Sequence, residues 1–211
     1  MNPFKEPNTT LSGMLGKLKM IQTVADNIAN ASTAGYKRKI PESINFKSVL
    51  DEAALKDSTQ GSLKKTNNKF DIAIEGNAYF LVESENGPKP VRNGRLRLNE
   101  NGAICTHNGE ELIIAEKTDK EINLAKSEDI TINEKGEIFV SGEKYGRLAM
   151  QILDSKPVTV HQGYVESSNV NVINEMATLA MIFRSFEASE KVLGMLNSAD
   201  RDLIEKYGRN V

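Results

Sequence analysis

Two segments at opposite ends of the chain carry apolar residues at alternating spacings of three and four, and this pattern constrains the fold more than any other feature. After the cap-favouring run Ser167–Asn171, the C-terminal segment repeats apolar residues along one helix face: Val172, Met176, Leu179, Phe183 and Phe186 and, after a slip in phase, Leu193 and Leu196. A helix this long with so narrow an apolar face is not stable alone in water. It therefore requires a partner.

The N-terminal segment supplies a partner of the same kind. Thr9 or Thr10 is suited to cap a helix, and apolar residues then recur in unbroken phase at Leu11, Met14, Leu18, Ile21, Ala25 and Ile28. The alternative is a plain amphipathic helix lying on a globular core. Because the C-terminal segment has a matching seam, we expect the ends to pair as a coiled-coil-like stalk, with each other or with neighbouring copies.

The N-terminal helix is predicted to end in a polar run. Asn27 and Asn30 belong to a stretch of Asn, Ser and Thr side chains that compete with the helix for backbone hydrogen bonds, and Gly35 can adopt the positive φ that ends a helix. Pro41 stops the structure that precedes it. The following residues carry little pattern and are read as a connector.

The middle of the chain has the texture of short strands. Phe70–Gly76 and Tyr79–Val82 alternate apolar and polar residues as half-buried strands do. Asn-Gly pairs, which suit the positive φ angles of tight hairpins, follow at Asn86-Gly87, Asn93-Gly94, Asn101-Gly102 and Asn108-Gly109. Further strands are predicted at Asp129–Asn133, Glu137–Val140, Arg147–Leu153 and Val158–His161. The middle is therefore predicted to be a small antiparallel all-β domain.

The predicted class is α+β, with terminal helices pairing as a stalk and the all-β domain between them. The expected domains are an N-terminal seam helix over 1–36, a connector over 37–58, the β domain over 59–161 and a C-terminal seam helix over 162–211.

Composition argues against several classes of partner. The formal net charge is −2, which is too balanced for a nucleic-acid or anionic-membrane surface. Apolar runs fall short of the roughly 18 residues that a membrane span requires, so no direct membrane insertion is expected. The N-terminus lacks the cationic start and apolar core of a cleaved signal peptide, which is compatible either with the cytoplasm or with an export route that reads no such signal.

Candidate chemistry is sparse. Cys105 and His107 would share one face of a strand, as a thiol–imidazole pair would, but no orienting third group or oxyanion turn accompanies them. The simpler interpretation is a core cysteine beside a turn histidine. We therefore predict no catalytic residues, no cofactor-binding residues and no metal ligands, and a chain that is not an enzyme.

Four ordered blocks of the sequence resemble one known family. Asn27–Arg38 is similar to the signature N-x-A-N-x-x-T-x-G-[FY]-[KR] of bacterial flagellar rod and hook proteins. The next block is Thr59–Leu63 with Phe70–Gly76 and Tyr79–Val82. The block after it is Arg92–Gly94, followed by Asn99–Cys105 and Asn108-Gly109. Gln162–Val170, followed by Arg184–Ala188, resembles the entry to that family's last helix and its interior.

The resemblance implies an axial structural protein of the flagellar basal body that transmits torque in motility. It implies terminal helices that form an inner tube, a β domain outside, and partners that are other rod and hook proteins and copies of the chain itself. It also implies export by the flagellar type III apparatus without a cleaved signal peptide, and a place in the periplasmic rod. Assembly would then use the two seams together with Asn27, Asn30 and Gly35.

Within the family, the sequence leans toward the proximal-rod type (FlgF-like), with the distal-rod type (FlgG-like) second. Eight residues separate Leu153 from Gln162, where members of the family usually carry a longer strand-and-loop stretch. The resemblance therefore implies a β domain smaller than usual. It also disfavours a hook role, because hook proteins carry an extra outer domain. The alternatives are another axial member, such as a distal-rod or hook-like protein, and an export-associated binding module.

Overall fold

The computed structural model describes residues 6–41, 55–118 and 129–208, and the side chains described exclude those of residues 6–11, 200 and 208. The chain divides into two compact units: Met1–Ala29, Lys39–Asp57 and Val170–Val211 form a helical unit, and Asn30–Arg38 and Ser58–Asn169 form a β unit. The predicted α+β class is confirmed.

The helical unit contains α1 (Glu6–Ala29) and α2 (Val172–Gly208). Helix α1 begins before the predicted caps, so Thr9 and Thr10 lie inside it. Pro7 is tolerated near the start of the helix because backbone N–H groups in the first turn have no hydrogen-bond acceptor within the helix. Helix α2 begins where the capping run predicts. The Asn171 Oδ1 atom accepts hydrogen bonds from the backbone N–H groups of Ile173 and Asn174, at 3.1 and 3.2 Å.

The β unit consists of short strands, and every strand pair described is antiparallel. In chain order the strands are β1 (Leu63–Lys65), β2 (Ile72–Glu75), β3 (Ala78–Val82), β4 (Lys89–Val91), β5 (Leu96–Leu98), β6 (Ile104–Thr106), β7 (Ile114–Ala115), β8 (Ile130–Ile132), β9 (Glu137–Val140), β10 (Glu143–Leu148), β11 (Met150–Ile152), β12 (Thr159–Gln162) and β13 (Tyr164–Glu166). The larger sheets have the strand orders β7-β10-β9-β8 and β11-β3-β4, while β1 pairs with β13, β2 with β12 and β5 with β6.

One hydrophobic core unites these small sheets. Its members come from most of the strands because each strand turns alternate side chains inward. The fully enclosed centre includes Ile72, Phe80, Val82 and Ile138. Arg147–Leu153, which was predicted as one strand, feeds two sheets, because Ala149 lies between β10 and β11 and bonds to the backbone of Ile113 and Leu81.

The Asn-Gly turns differ in type from the predicted hairpin tips. Gly87, Gly102 and Gly109 have positive φ, and each donates its N–H to the carbonyl three residues earlier. The asparagines before them are not among the described residues with positive φ, so these are type I turns with glycine in the fourth position. Ser141 and Gly142 both have positive φ and join β9 to β10, which is the two-residue geometry expected of Asn-Gly.

The fourth Asn-Gly pair has a different role. The Gly94 carbonyl accepts a hydrogen bond from the Ile72 N–H at 2.9 Å, and a Cβ atom at position 94 would lie 1.6 Å from the Ile72 carbonyl oxygen. Glycine is required here because two backbone segments meet with no space for a side chain.

Gly94→Ala is therefore expected to destabilise the β unit by about 3 kcal/mol, at the upper end of overpacking costs. The matched control is Gly87→Ala, where a Cβ atom meets nothing within 4 Å and only the left-handed backbone, worth about 1 kcal/mol, opposes it. Urea unfolding of the full chain followed by circular dichroism measures both. Equal losses for the two variants would contradict the close-approach argument.

Candidate assembly site

The predicted N-terminal seam lies partly on and partly beside the face of α1 that contacts α2. Met14, Ile21 and Ile28 are half-buried, whereas Leu18 is 47% exposed and Ala25 is exposed. The Leu11 side chain falls outside the described part of the chain. Val24 and Asn27, both with no exposed surface, form the most buried part of this face. The contacting face is therefore centred about one residue away from the predicted one.

The predicted C-terminal seam shows the same kind of offset. Half-buried positions include five of its members, namely Val172, Leu179, Phe186, Leu193 and Leu196. Met176 and Phe183 are 56% and 47% exposed. Their predicted places are taken by Glu175 and Ile182, which are buried. With Ser189 half-buried, the stripe keeps alternating spacings of three and four without a slip in phase. Hydrophobicity alone could not select Glu175 or Ser189 for a buried face.

Asn27 joins three parts of the helical unit. Its Nδ2 atom donates to the Glu175 Oε2 atom at 3.1 Å and to the Lys39 carbonyl at 2.8 Å, and its Oδ1 atom accepts from the Lys39 N–H at 2.9 Å. The Lys39 Nζ atom forms an ion pair with the Asp26 carboxylate at 2.9 Å. The amide thus fixes the extended segment around Lys39 against α1 while its other contact reaches α2.

A second polar contact between the helices involves Lys17. Its Nζ atom donates to the Ser185 carbonyl at 2.8 Å and to the Ser189 Oγ atom at 2.5 Å. The aliphatic stem of a lysine can cover apolar surface while its ammonium group reaches polar atoms. Sequence reasoning passed over Lys17 because a charged residue is usually assigned to the solvent face.

Asn30 and Gly35 belong to the β unit. The Asn30 carbonyl accepts the Thr33 N–H at 3.0 Å in a turn after α1. Gly35 has φ of +67° and donates its N–H to the Glu166 carbonyl at 2.8 Å. A Cβ atom at position 35 would lie 2.6 Å from the Arg92 carbonyl carbon. Gly35 thus serves a close approach beyond the helix end at Ala29, as well as a positive φ.

Glu166 stands at the centre of a buried ionic cluster that sequence reasoning missed. Its side chain is 2% exposed, and its carboxylate accepts from Lys37 Nζ at 2.8 Å, Arg92 Nε at 2.5 Å and the Gly61 N–H at 2.9 Å. The remaining Arg92 donors bind the carbonyls of Ile74, Gly76 and Ala78. The opposite charges and their additional hydrogen bonds offset part of the cost of burying these three charged groups.

Asn169 extends this cluster. Its Oδ1 atom accepts the Arg38 N–H at 2.7 Å, and its Nδ2 atom donates to the carbonyl and hydroxyl oxygens of Thr59. Lys37 also donates to the Thr59 carbonyl, at 2.8 Å. Arg38, Thr59 and Asn169 each lie within two residues of a point where the chain passes from one unit to the other. Hydrogen bonds of the cluster therefore connect three chain segments, around Arg38, Thr59 and Asn169.

The geometry offers no arrangement suited to catalysis within the described residues. Cys105 is buried, and no group of three or more potential metal ligands occurs in that part of the chain. The pKa of Glu137 is lowered, and the pKa of Lys144 raised, chiefly by the hydrogen bond between these two surface side chains. Of the helices described, none combines the length and the apolar character that a membrane crossing needs.

Three family models match successive parts of the chain. "Flagella basal body rod protein" matches residues 8–37, "Flagellar hook protein FlgE/F/G D1 domain" matches 73–140, and "Flagellar basal body rod FlgEFG protein C-terminal" matches 161–205. The buried polar clusters join these regions: Asn27 and Lys37 lie in the first, Arg92 in the second, and Glu166 and Glu175 in the third.

Relatives of three kinds match most of this chain. The basal-body rod protein FlgF of Mesorhizobium japonicum is 28% identical over 94% of this chain and 95% of its own length. The basal-body rod protein FlgG of Agrobacterium fabrum is 24% identical over 86% of this chain and 91% of its own. The hook protein FlgE of Brucella abortus is 29% identical over 95% of this chain, but the match covers only 54% of that protein.

Glu166→Gln is expected to lower the free energy of unfolding of the β unit by about 3–5 kcal/mol, because it leaves the Lys37 and Arg92 cations buried without their shared anion. Urea denaturation of the full chain measures the change. Glu85→Gln, on an exposed turn, is the matched control and should change stability by less than about 0.5 kcal/mol. A loss at Glu166 no larger than the control would show that the ionic cluster is dispensable.

Proposed function

The chain belongs to the flagellar rod and hook protein family, and from this premise we propose that it is a structural subunit of the flagellar basal-body rod, assembled through its terminal helices. The observation that carries the proposal is the end-to-end match to a rod protein, over 94% of this chain and 95% of its relative. Because the relatives of this chain are named as rod and hook proteins, the chain is a structural protein and not an enzyme.

The proximal-rod type is favoured over the other axial types. A hook subunit is disfavoured because this chain spans about half the length of the hook protein that it matches, 54%. The distal-rod type is second, with 24% identity over a smaller share of this chain, 86%. An export-associated binding module has no support among these matches.

We assign the assembly contacts to the apolar side chains that the helix pair leaves exposed. Among the described side chains of α1, these are Leu15 and Leu18. On α2 they are the large apolar residues outside the buried stripe: Ile173, Met176, Met181, Phe183, Val192, Met195, Leu203, Ile204 and Tyr207. An exposed apolar set of this size on a helix favours contact with a further helix, as in a coiled-coil-like bundle. The predicted seam residues Leu18, Met176 and Phe183 would thus be buried by neighbouring subunits.

Assembly of this kind is open-ended. A surface on one copy that binds a different surface on the next is a heterologous contact, and unless it closes into a ring it generates a helical filament. Neighbours would include copies of the chain and other rod and hook proteins. Long helices suit torque transmission, and the Glu166 cluster would hold the β unit intact under load.

The same proposal includes a route and a location. The subunit would leave the cell through the flagellar type III apparatus and would occupy the periplasmic rod. The resemblance to axial flagellar proteins supports both statements. With a formal net charge of −2, the chain has no excess of basic residues to favour nucleic acid.

The direct test is quantitative mass spectrometry of hook–basal bodies purified from the source organism. We expect the protein to be present in a fixed ratio to known rod subunits, a handful or more copies per particle. The same purification fraction from a strain lacking the gene is the control. Absence of the protein from intact wild-type particles would refute a rod role.

Leu18→Asp and Phe183→Asp test the assembly contacts. Each places a carboxylate on an apolar surface that the helix pair leaves exposed, so the chain should stay folded. Burial of that carboxylate against a neighbour costs more than the roughly 2–7 kcal/mol of an uncharged polar group. We expect at least a tenfold loss from basal bodies and loss of swimming. Asn197→Asp, an exposed polar position on α2, is the matched control. Normal incorporation of both aspartate variants would refute this assignment.

A further inference from the structure

We propose that two polar layers between α1 and α2, one buried and one partly exposed, determine which helices pair and in which register. The first layer consists of Asn27 and Glu175, and the second of Lys17, Ser185 and Ser189. The inference concerns pairing within the chain and holds whether or not the chain is a rod subunit.

The first layer is fully enclosed. Asn27 is 0% exposed and Glu175 is 1% exposed, and their side chains are joined by a 3.1 Å hydrogen bond. A buried carboxylate that loses its hydrogen-bond donor is strongly destabilising, whereas a pair of apolar side chains in the same space would be tolerated or preferred. Stability alone does not explain a buried Asn–Glu pair on a helix seam. Specificity does, as with a single buried asparagine that sets register in coiled coils.

The second layer restricts the alignment further. The two α1 members, Lys17 and Asn27, are ten residues apart, and the α2 partners of Lys17 lie ten and fourteen residues beyond Glu175. The helices run antiparallel, so both layers are satisfied in one alignment. A slip of one heptad would bring Asn27 beside Ile182 and Lys17 beside Val192 and Leu196. Glu175 would then lose its amide partner, and the lysine would lose its serine oxygens.

The layers also select the kind of partner. Pairing of α2 with another α2 would enclose Glu175 without the Asn27 amide. Pairing of α1 with another α1 would leave Lys17 without the Ser185 and Ser189 oxygens. The first alternative leaves a buried carboxylate without that donor, which acts as a penalty against the wrong partner, and the second loses the two hydrogen bonds of the half-buried Lys17.

The test compares the wild-type chain with the triple variant Lys17→Met, Asn27→Leu and Glu175→Leu. Both carry nitroxide labels at Gln22→Cys and Ser198→Cys, which are exposed positions, while the buried native Cys105 is not expected to react. Double electron–electron resonance measures the distance between the labels in protein diluted with unlabelled chain. A one-heptad slip displaces the helices by about 10 Å along their axes, which the method resolves.

We expect one distance in the wild-type chain and several, separated by about 10 Å, in the triple variant, with helix content by circular dichroism unchanged. The matched control Met20→Leu with Ile182→Leu alters apolar side chains of the same two helices and should keep one distance. A single wild-type distance retained by the triple variant would overturn the proposal. So would a broad distribution in the wild-type chain, or loss of helix content in the variant, because the layers would then not be choosing among paired states.

Discussion

The β unit depends on one carboxylate. The Glu166 carboxylate accepts hydrogen bonds from Lys37, Arg92 and the Gly61 N–H. It therefore contacts residues that are up to 129 positions away in the chain. Arg92 donates its other hydrogen bonds to carbonyl groups in and between β2 and β3. Three of the sheets are two-stranded pairs, which are marginally stable at best on their own. The sheets share one core, and the ionic cluster connects chain segments around it.

The helical unit follows a related rule. Apolar contacts bring α1 and α2 together, but hydrophobic contact is non-directional and permits many alignments. The polar groups at Asn27, Glu175 and Lys17 supply the directional part of the interaction. In both units, buried charged or amide side chains connect distant chain segments, while the surrounding apolar residues supply most of the favourable free energy.

Much of this architecture could be predicted from the sequence. The terminal helices, the antiparallel middle and several strand ranges followed from periodicity, and the match of Glu137–Val140 to β9 is complete. The predicted helix faces are offset from the observed ones because Met176 and Phe183 are more apolar than Glu175. A sequence pattern cannot reveal that the Asn27 amide donates a hydrogen bond to the buried Glu175 carboxylate. The Glu166 cluster was missed for a related reason. Its members are separated by long stretches of chain, so no local spacing connects them before the fold does.

The position of Glu166 has a consequence for the order in which the β unit can fold. Lys37, Gly61 and Arg92 come early in the chain, yet the anion that joins them lies in β13, the last strand. Contacts of such high sequence separation form late, because long loops must close first. A chain that emerges residue by residue from a narrow passage would therefore be unable to complete its β unit until nearly all of it had passed through. For such a chain, topology itself would oppose early folding of the β unit.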